Sequence, residues 1–157
     1  MNVSAGGVPK EPVEEAFIGP LGLEGDQVAH PEIHGGPQQA VLILTTDAIE
    51  ELERAGFPVF PGALGENLTV NGLDRRWIRP GQRYRAGDAI LEITKLRRPC
   101  LTIERYGAGI GRAVYDDRVK AGEAGSPRWG LGGFYAAVVQ PGRVSIGAPV
   151  ALLEIRA

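Results

Sequence analysis

A single cysteine, Cys100, and two histidines, His30 and His34, are the only thiol and imidazole groups in this 157-residue sequence. One cysteine excludes an intrachain disulfide, which agrees with a reducing compartment. The H-x3-H spacing of His30 and His34 would place two imidazoles on one face of a helix. Pro31 and the following Gly35-Gly36-Pro37 argue against a helix there, and a structural zinc site needs further ligands that the chain does not offer. No stretch approaches the roughly 20 apolar residues of a membrane helix. The N-terminus lacks the basic start and apolar core of a signal peptide. Charge of one sign is also missing: 17 basic and 19 acidic residues leave a formal charge of -2. Nothing therefore calls for nucleic acid or an acidic membrane as partner. These absences predict a soluble, cytoplasmic protein, organised as one domain over 1–157.

What the chain has in quantity is punctuation, 23 Gly and 12 Pro, spread along its length. Such spacing predicts many short elements joined by tight turns. The apolar run over 40–44 predicts a buried strand. It leads into a helix over 47–56, where Asp47 and Glu50 have capping-box spacing and Ala48, Ile49, Leu52 and Ala55 share a face. Glu50 and Arg54 can pair on its wet side, and Gly56 is a natural stop. Further strands are predicted over 67–70, 89–94, 134–139 and 150–155. A turn-then-strand pattern after Pro80-Gly81 is echoed after Pro141-Gly142, suggesting two hairpin-like units. Between 106 and 133 glycines surround a modest helical segment over 110–120; this stretch is either a lid over a site or an ordinary irregular connection. The fold class is β-rich (mainly β or α+β), a closed or strongly curved barrel with one or two peripheral helices.

Cys100 follows the strongest strand, in Leu96-Arg97-Arg98-Pro99-Cys100. Lys95, Arg97, Arg98 and Arg105 are near in sequence, and cations facing the sulfur would stabilise its thiolate. A thiolate is both a nucleophile and a soft metal ligand. The alternative is that Cys100 simply packs as a small apolar group. His34 reads as a hydrogen-bonding residue at a turn whose Gly35 and Gly36 let backbone amides approach a ligand. Glu66 and Asn67, and likewise Asp26, either cap turns or point into a pocket.

In order along the chain stand Gly7-Val8-Pro9-Lys10, Gly22-Leu23-Glu24-Gly25-Asp26, His34-Gly35-Gly36-Pro37, Pro61-Gly62, Gly65-Glu66-Asn67-Leu68, Pro80-Gly81, Arg97, Pro99-Cys100, Gly133-Phe134-Tyr135 and Pro141-Gly142. This string resembles the MOSC domain, the family named for the C-terminal domain of molybdenum cofactor sulfurase. The resemblance implies a barrel-like β fold and a cysteine that ligates molybdenum in a pyranopterin cofactor or holds sulfur as a persulfide. It gives Cys100 that role and makes Lys10, Arg97 and Arg98 candidates for the cofactor's phosphate. Asn67, beside Glu66, matches the family's Gly-Glu-Asn-Leu segment, and His34, Gly35 and Gly36 match its His-Gly-Gly turn. The family often has Pro-Arg before its x-Pro-Cys; here Leu96 precedes Arg97 and Arg98 fills the intervening place, so both arginines stand as candidates. Three functions follow from the resemblance. The first is a molybdenum-cofactor-dependent reductase of N-hydroxylated small molecules, served by an external electron-donor protein. The second is a sulfur or cofactor carrier that works with a cofactor-delivery protein. The third is an interaction module in which Cys100 only packs.

Overall fold

The structure is a computed structural model that describes residues 1–28, 30–31 and 33–153. Its strands, in chain order, are β1 (Asn2–Val3), β2 (Glu11–Pro12), β3 (Glu15–Gly19), β4 (Gly22–Leu23), β5 (Val41–Thr45), β6 (Leu68–Val70), β7 (Arg83–Ala86), β8 (Ala89–Leu96), β9 (Phe134–Gln140), β10 (Gly142–Ser145) and β11 (Val150–Leu152). Three short α-helices, α1 (Thr46–Arg54), α2 (Ile110–Val114) and α3 (Asp117–Lys120), join them. Six strands in the order β11-β7-β8-β9-β5-β6 curve into a nearly closed barrel-like sheet. The sheet is antiparallel except for β5 and β6, which run parallel. A second sheet, β10-β3-β4, covers one side, and β1 pairs with β2 apart from both. Among the described residues no helix is long and apolar enough to cross a membrane.

Alternation along β5 explains why there are two cores. Val41 and Ile43 face one way and join Ile18, Leu91, Ile93, Phe134 and Ala136 between the sheets. Leu44 points to the opposite face, where Ala48, Ile49 and Leu52 of α1 meet Leu64, Ile103, Ile110 and Val114. A strand buried on both faces reads as a continuous apolar run, which is how 40–44 stands out in the sequence.

Helix α1 begins one residue earlier than its sequence suggests, and the expected capping box is absent. Thr45 is the N-cap and makes no side-chain cap bond. Asp47 lies inside the first turn and pairs instead with Arg75, Nε to Oδ2 at 3.3 Å. Glu50 and Arg54 meet through the Glu50 carbonyl, which accepts from Arg54 Nε at 3.3 Å, and not through the two charges. The far end does match. Gly56 adopts a left-handed φ of 94°; its N–H donates to Glu53 O and the Phe57 N–H to Leu52 O, the paired bonds of a Schellman stop.

The repeated turn-then-strand pattern corresponds to two different structures. β7 and β8 form a hairpin. After Pro141-Gly142 the two strands separate, β10 pairing with β3 and β11 with β7. Strand β11 spans Val150–Leu152, and the end of the predicted 150–155 segment lies outside the described residues. The predicted helical segment over 110–120 is two helices, broken where the Asp116 side chain accepts from the Val119 N–H and caps α3.

Candidate functional site

Strand β8 delivers the site. After Leu96 the Arg97 N–H still donates to Gly133 O at 3.0 Å, so the chain keeps its place beside the loop that precedes β9. Arg98 and Pro99 then lead off the sheet, and Cys100 caps a 3-10 turn over Leu101–Tyr106. Ile103 and Tyr106 of that turn are buried in the outer core and anchor it. Cys100 is left half-buried and lining a pocket of about 130 Å³.

Arg97 is the charged neighbour beside Cys100. It is 4% exposed. Its Nη2 donates to Leu64 O at 3.2 Å and lies 3.8 Å from Cys100 Sγ, while Nε and Nη1 have no hydrogen-bond partner among the described residues. Burial pushes the Cys100 thiol up. The Thr102 side chain, the Arg97 charge and the Thr102 and Ile103 amides pull the other way and prevail, so its pKa lies below the ordinary thiol value. This is the electropositive, accessible setting that makes a thiol reactive. Tyr135 completes the group. Its hydroxyl lies 3.2 Å from His34 Nδ1. Burial drives its pKa upward; the Cys100 charge acts in the same direction and Arg97 opposes both. His34, Tyr135, Arg97 and Cys100 are therefore one electrostatic cluster.

The other polar wall is tied internally. Lys10 Nζ forms an ion pair with Asp26 Oδ2, and both side chains are largely buried. The same Asp26 oxygen accepts from Asn67 Nδ2 at 2.8 Å, and its second oxygen accepts from the Ser4 N–H at 2.9 Å. Asn67 in turn accepts from the Leu42 N–H through Oδ1 at 3.0 Å. Of the residues that the sequence nominates, Cys100, Lys10, His34, Gly35, Asn67 and Arg97 line the pocket, and Asp26 and His30 join them. Three others do not. Arg98 is exposed to solvent, and Gly36 lies outside the lining. Glu66 is fully buried behind the wall, where Oε1 accepts from the Gly62 N–H at 2.6 Å and from Thr69 Oγ1 at 3.0 Å. The stretch over 106–133, read as a lid or a connection, contributes nothing to the lining. Ile110, Val114 and Leu131 pack it into the outer core, so it is a packed connection.

Sequence reasoning gave no role to Tyr135 or Thr102. Tyr135 sits between Phe134 and Ala136 on a strand whose apolar residues face the inner core, and nothing local marks its hydroxyl. The available signal was period-2 alternation, which turns Tyr135 away from its two neighbours, together with the need of a buried phenol for a hydrogen-bond partner.

The model of the MOSC domain matches residues 30–151, well over half of the chain. This chain belongs to the MOSC family. It is 32% identical over 145 residues to Protein YiiM of Escherichia coli (strain K12), covering 89% of this chain and 60% of YiiM. It is 31% identical over 151 residues to YflK of Bacillus subtilis (strain 168), an uncharacterized protein, covering 94% and 63%. The chain thus spans less than two thirds of these curated relatives. The crystal structure of YiiM from Escherichia coli superimposes with a TM-score of 0.65 at 26% identity, covering 98% of this chain and 68% of that one. The nearly closed β sheet with few helices is the MOSC architecture.

Proposed function

We propose that this MOSC chain binds a molybdenum pyranopterin cofactor through Cys100 and reduces N-hydroxylated small molecules. The observation that carries the reading is the pairing of a half-buried, low-pKa thiol with a buried arginine that has two guanidinium nitrogens unpartnered. The donors present suit such a group. A thiolate is the soft anionic ligand that molybdenum favours over carboxylate or hydroxyl. Arg97 is a fixed cation beside it, complementary to an anionic ligand. Lys10, His34, Gly35 and Asn67 line the same pocket and would face the bound group. Arg98, Gly36 and Glu66 would not, given where they lie.

When bound, the cofactor would supply a metal centre able to take an oxygen atom and exchange electrons. The chain's own residues do the remaining work. The Thr102 side chain and the Arg97 charge favour the anionic form of the Cys100 sulfur, the form that would ligate. Tyr135 and His34, hydrogen-bonded to each other, can exchange a proton at the pocket floor. Overall, the reduction takes up two electrons and two protons, breaks the N–O bond and releases water. The electrons would come from a separate donor protein, in keeping with a sequence whose one cysteine cannot hold an iron–sulfur cluster. Cofactor loading implies a delivery protein as a second partner.

Elemental analysis of wild type and Cys100→Ala, produced in a host that makes the cofactor, tests the reading. Near-stoichiometric molybdenum in wild type and its loss in the variant are expected. No molybdenum in either would overturn it. A mass increase of one sulfur atom on Cys100 would then favour the persulfide carrier, for which a low-pKa thiol is equally suited.

A further inference from the structure

The mouth of the pocket carries apolar side chains that folding does not explain. Leu21 sits at the tip of the β3–β4 turn and is 70% exposed, yet it lines the pocket. Val28, 38% exposed, lines it as well. Neither belongs to the inner or the outer core. The turn does not need Leu21, because the strand register there is carried by backbone pairing of Ile18 with Leu23 and Gly19 with Gly22. An isolated exposed leucine means little. Two exposed apolar side chains on the lining of a pocket that also holds Cys100 mean more, since such pockets bind through apolar walls and orient through few polar groups. Below them Leu23, Leu42 and Leu64 line the same space. Of the charged lining, Lys10 is paired with Asp26, and Arg97 is buried beside Cys100.

We infer that the substrate brought to the site around Cys100 has an apolar, uncharged body, seated on Leu21 and Val28. This rests on the proposed site at Cys100 and names the class of substrate it takes. A carboxylate or phosphate seated on Leu21 and Val28 would exchange water for apolar contact alone, while an aromatic or aliphatic body would cover surface that otherwise stays wet.

The test uses the thiol itself and needs no cofactor. Alkylation rates of the purified chain are measured with iodoacetamide and N-benzyl iodoacetamide, each divided by the rate of a free thiol with the same reagent. Covering roughly 40 Å² of apolar surface predicts an advantage of about fivefold for the benzyl reagent over iodoacetamide. Leu21→Asn and Val28→Asn together should abolish the benzyl advantage and leave the iodoacetamide rate unchanged, and both positions are exposed enough to accept the change. Equal normalised rates for the two reagents, or a benzyl advantage that survives the double variant, would overturn the inference. A benzyl preference in a protein that never binds molybdenum would sink the reductase reading and keep this one. Molybdenum bound without the preference would do the reverse.

Discussion

The Arg97 charge acts on Cys100 across 3.8 Å, and the effect can be measured at the level of single residues. Replacing Arg97 by Met keeps the length of the side chain and removes the charge that lowers the thiol's pKa. Less thiolate should then exist at neutral pH, so alkylation by iodoacetamide should slow several-fold, and the two rates should converge in strong alkali where both thiols are ionised. Equal rates at neutral pH would show that Arg97 does not act on the sulfur. Glu66 offers a second test. Burial raises its pKa above the ordinary 4.5, against the bonds from Gly62, Thr69 and Leu64 that lower it. A carboxyl raised on folding contributes stability that is full in acid and lost as pH rises through its folded value. Glu66→Gln should therefore gain stability relative to wild type on going from mild acid to mild alkali, read as the difference between urea midpoints. At this scale the sequence was informative about identity and weak about direction. It placed Cys100, His34 and Asn67 at the site, but Arg97 and Arg98 are indistinguishable in one dimension. What separates them is the continued pairing of Arg97 with Gly133 across the sheet, a contact 36 positions away (133 − 97).

Among the elements, α1 was readable because its signals are local: an apolar face, a glycine stop and the strand feeding it. Gly56 is a clean test of that stop. A Cβ there would meet nothing within 4 Å, so Gly56→Ala probes the left-handed backbone alone. It should cost about 1–2 kcal/mol in equilibrium unfolding, with the cysteine's reactivity unchanged. Gly62 makes the opposite case, since a Cβ would lie 2.2 Å from Lys10 O, so Gly62→Ala should disturb the Lys10 wall as well as stability. The small strands β1, β2, β3, β4 and β10 escaped the sequence reading for a physical reason. Most are two to five residues long and half-exposed. Their existence depends on partners distant in the chain, as when β10 adds to β3 and not to the strand that follows it. Propensity does not encode that choice.

For the molecule as a whole, stability should concentrate in the inner core and be nearly absent from the surface next to the thiol. Phe134, fully buried where β8, β9 and β5 meet, should lose about 3–5 kcal/mol on replacement by Ala. Leu101, beside Cys100 but 88% exposed, should lose no more than about 0.5 kcal/mol. The two melting curves together check this contrast. The hydrogen bonds that shape the pocket also bear on how the chain acquires its chemistry. His34 meets Tyr135 across 101 positions, Asn2 reaches Glu66 across 64, and Asn67 holds Asp26 across 41. Each such closure must overcome loop entropy before its contact is worth anything, which favours slow folding through late, long-range steps. Hairpins such as β7–β8 can form early; the thiol's electropositive surroundings cannot. During refolding Cys100 should therefore keep the reactivity of an ordinary thiol until the last cooperative phase, and acquire its lowered pKa only when the two halves of the chain have met.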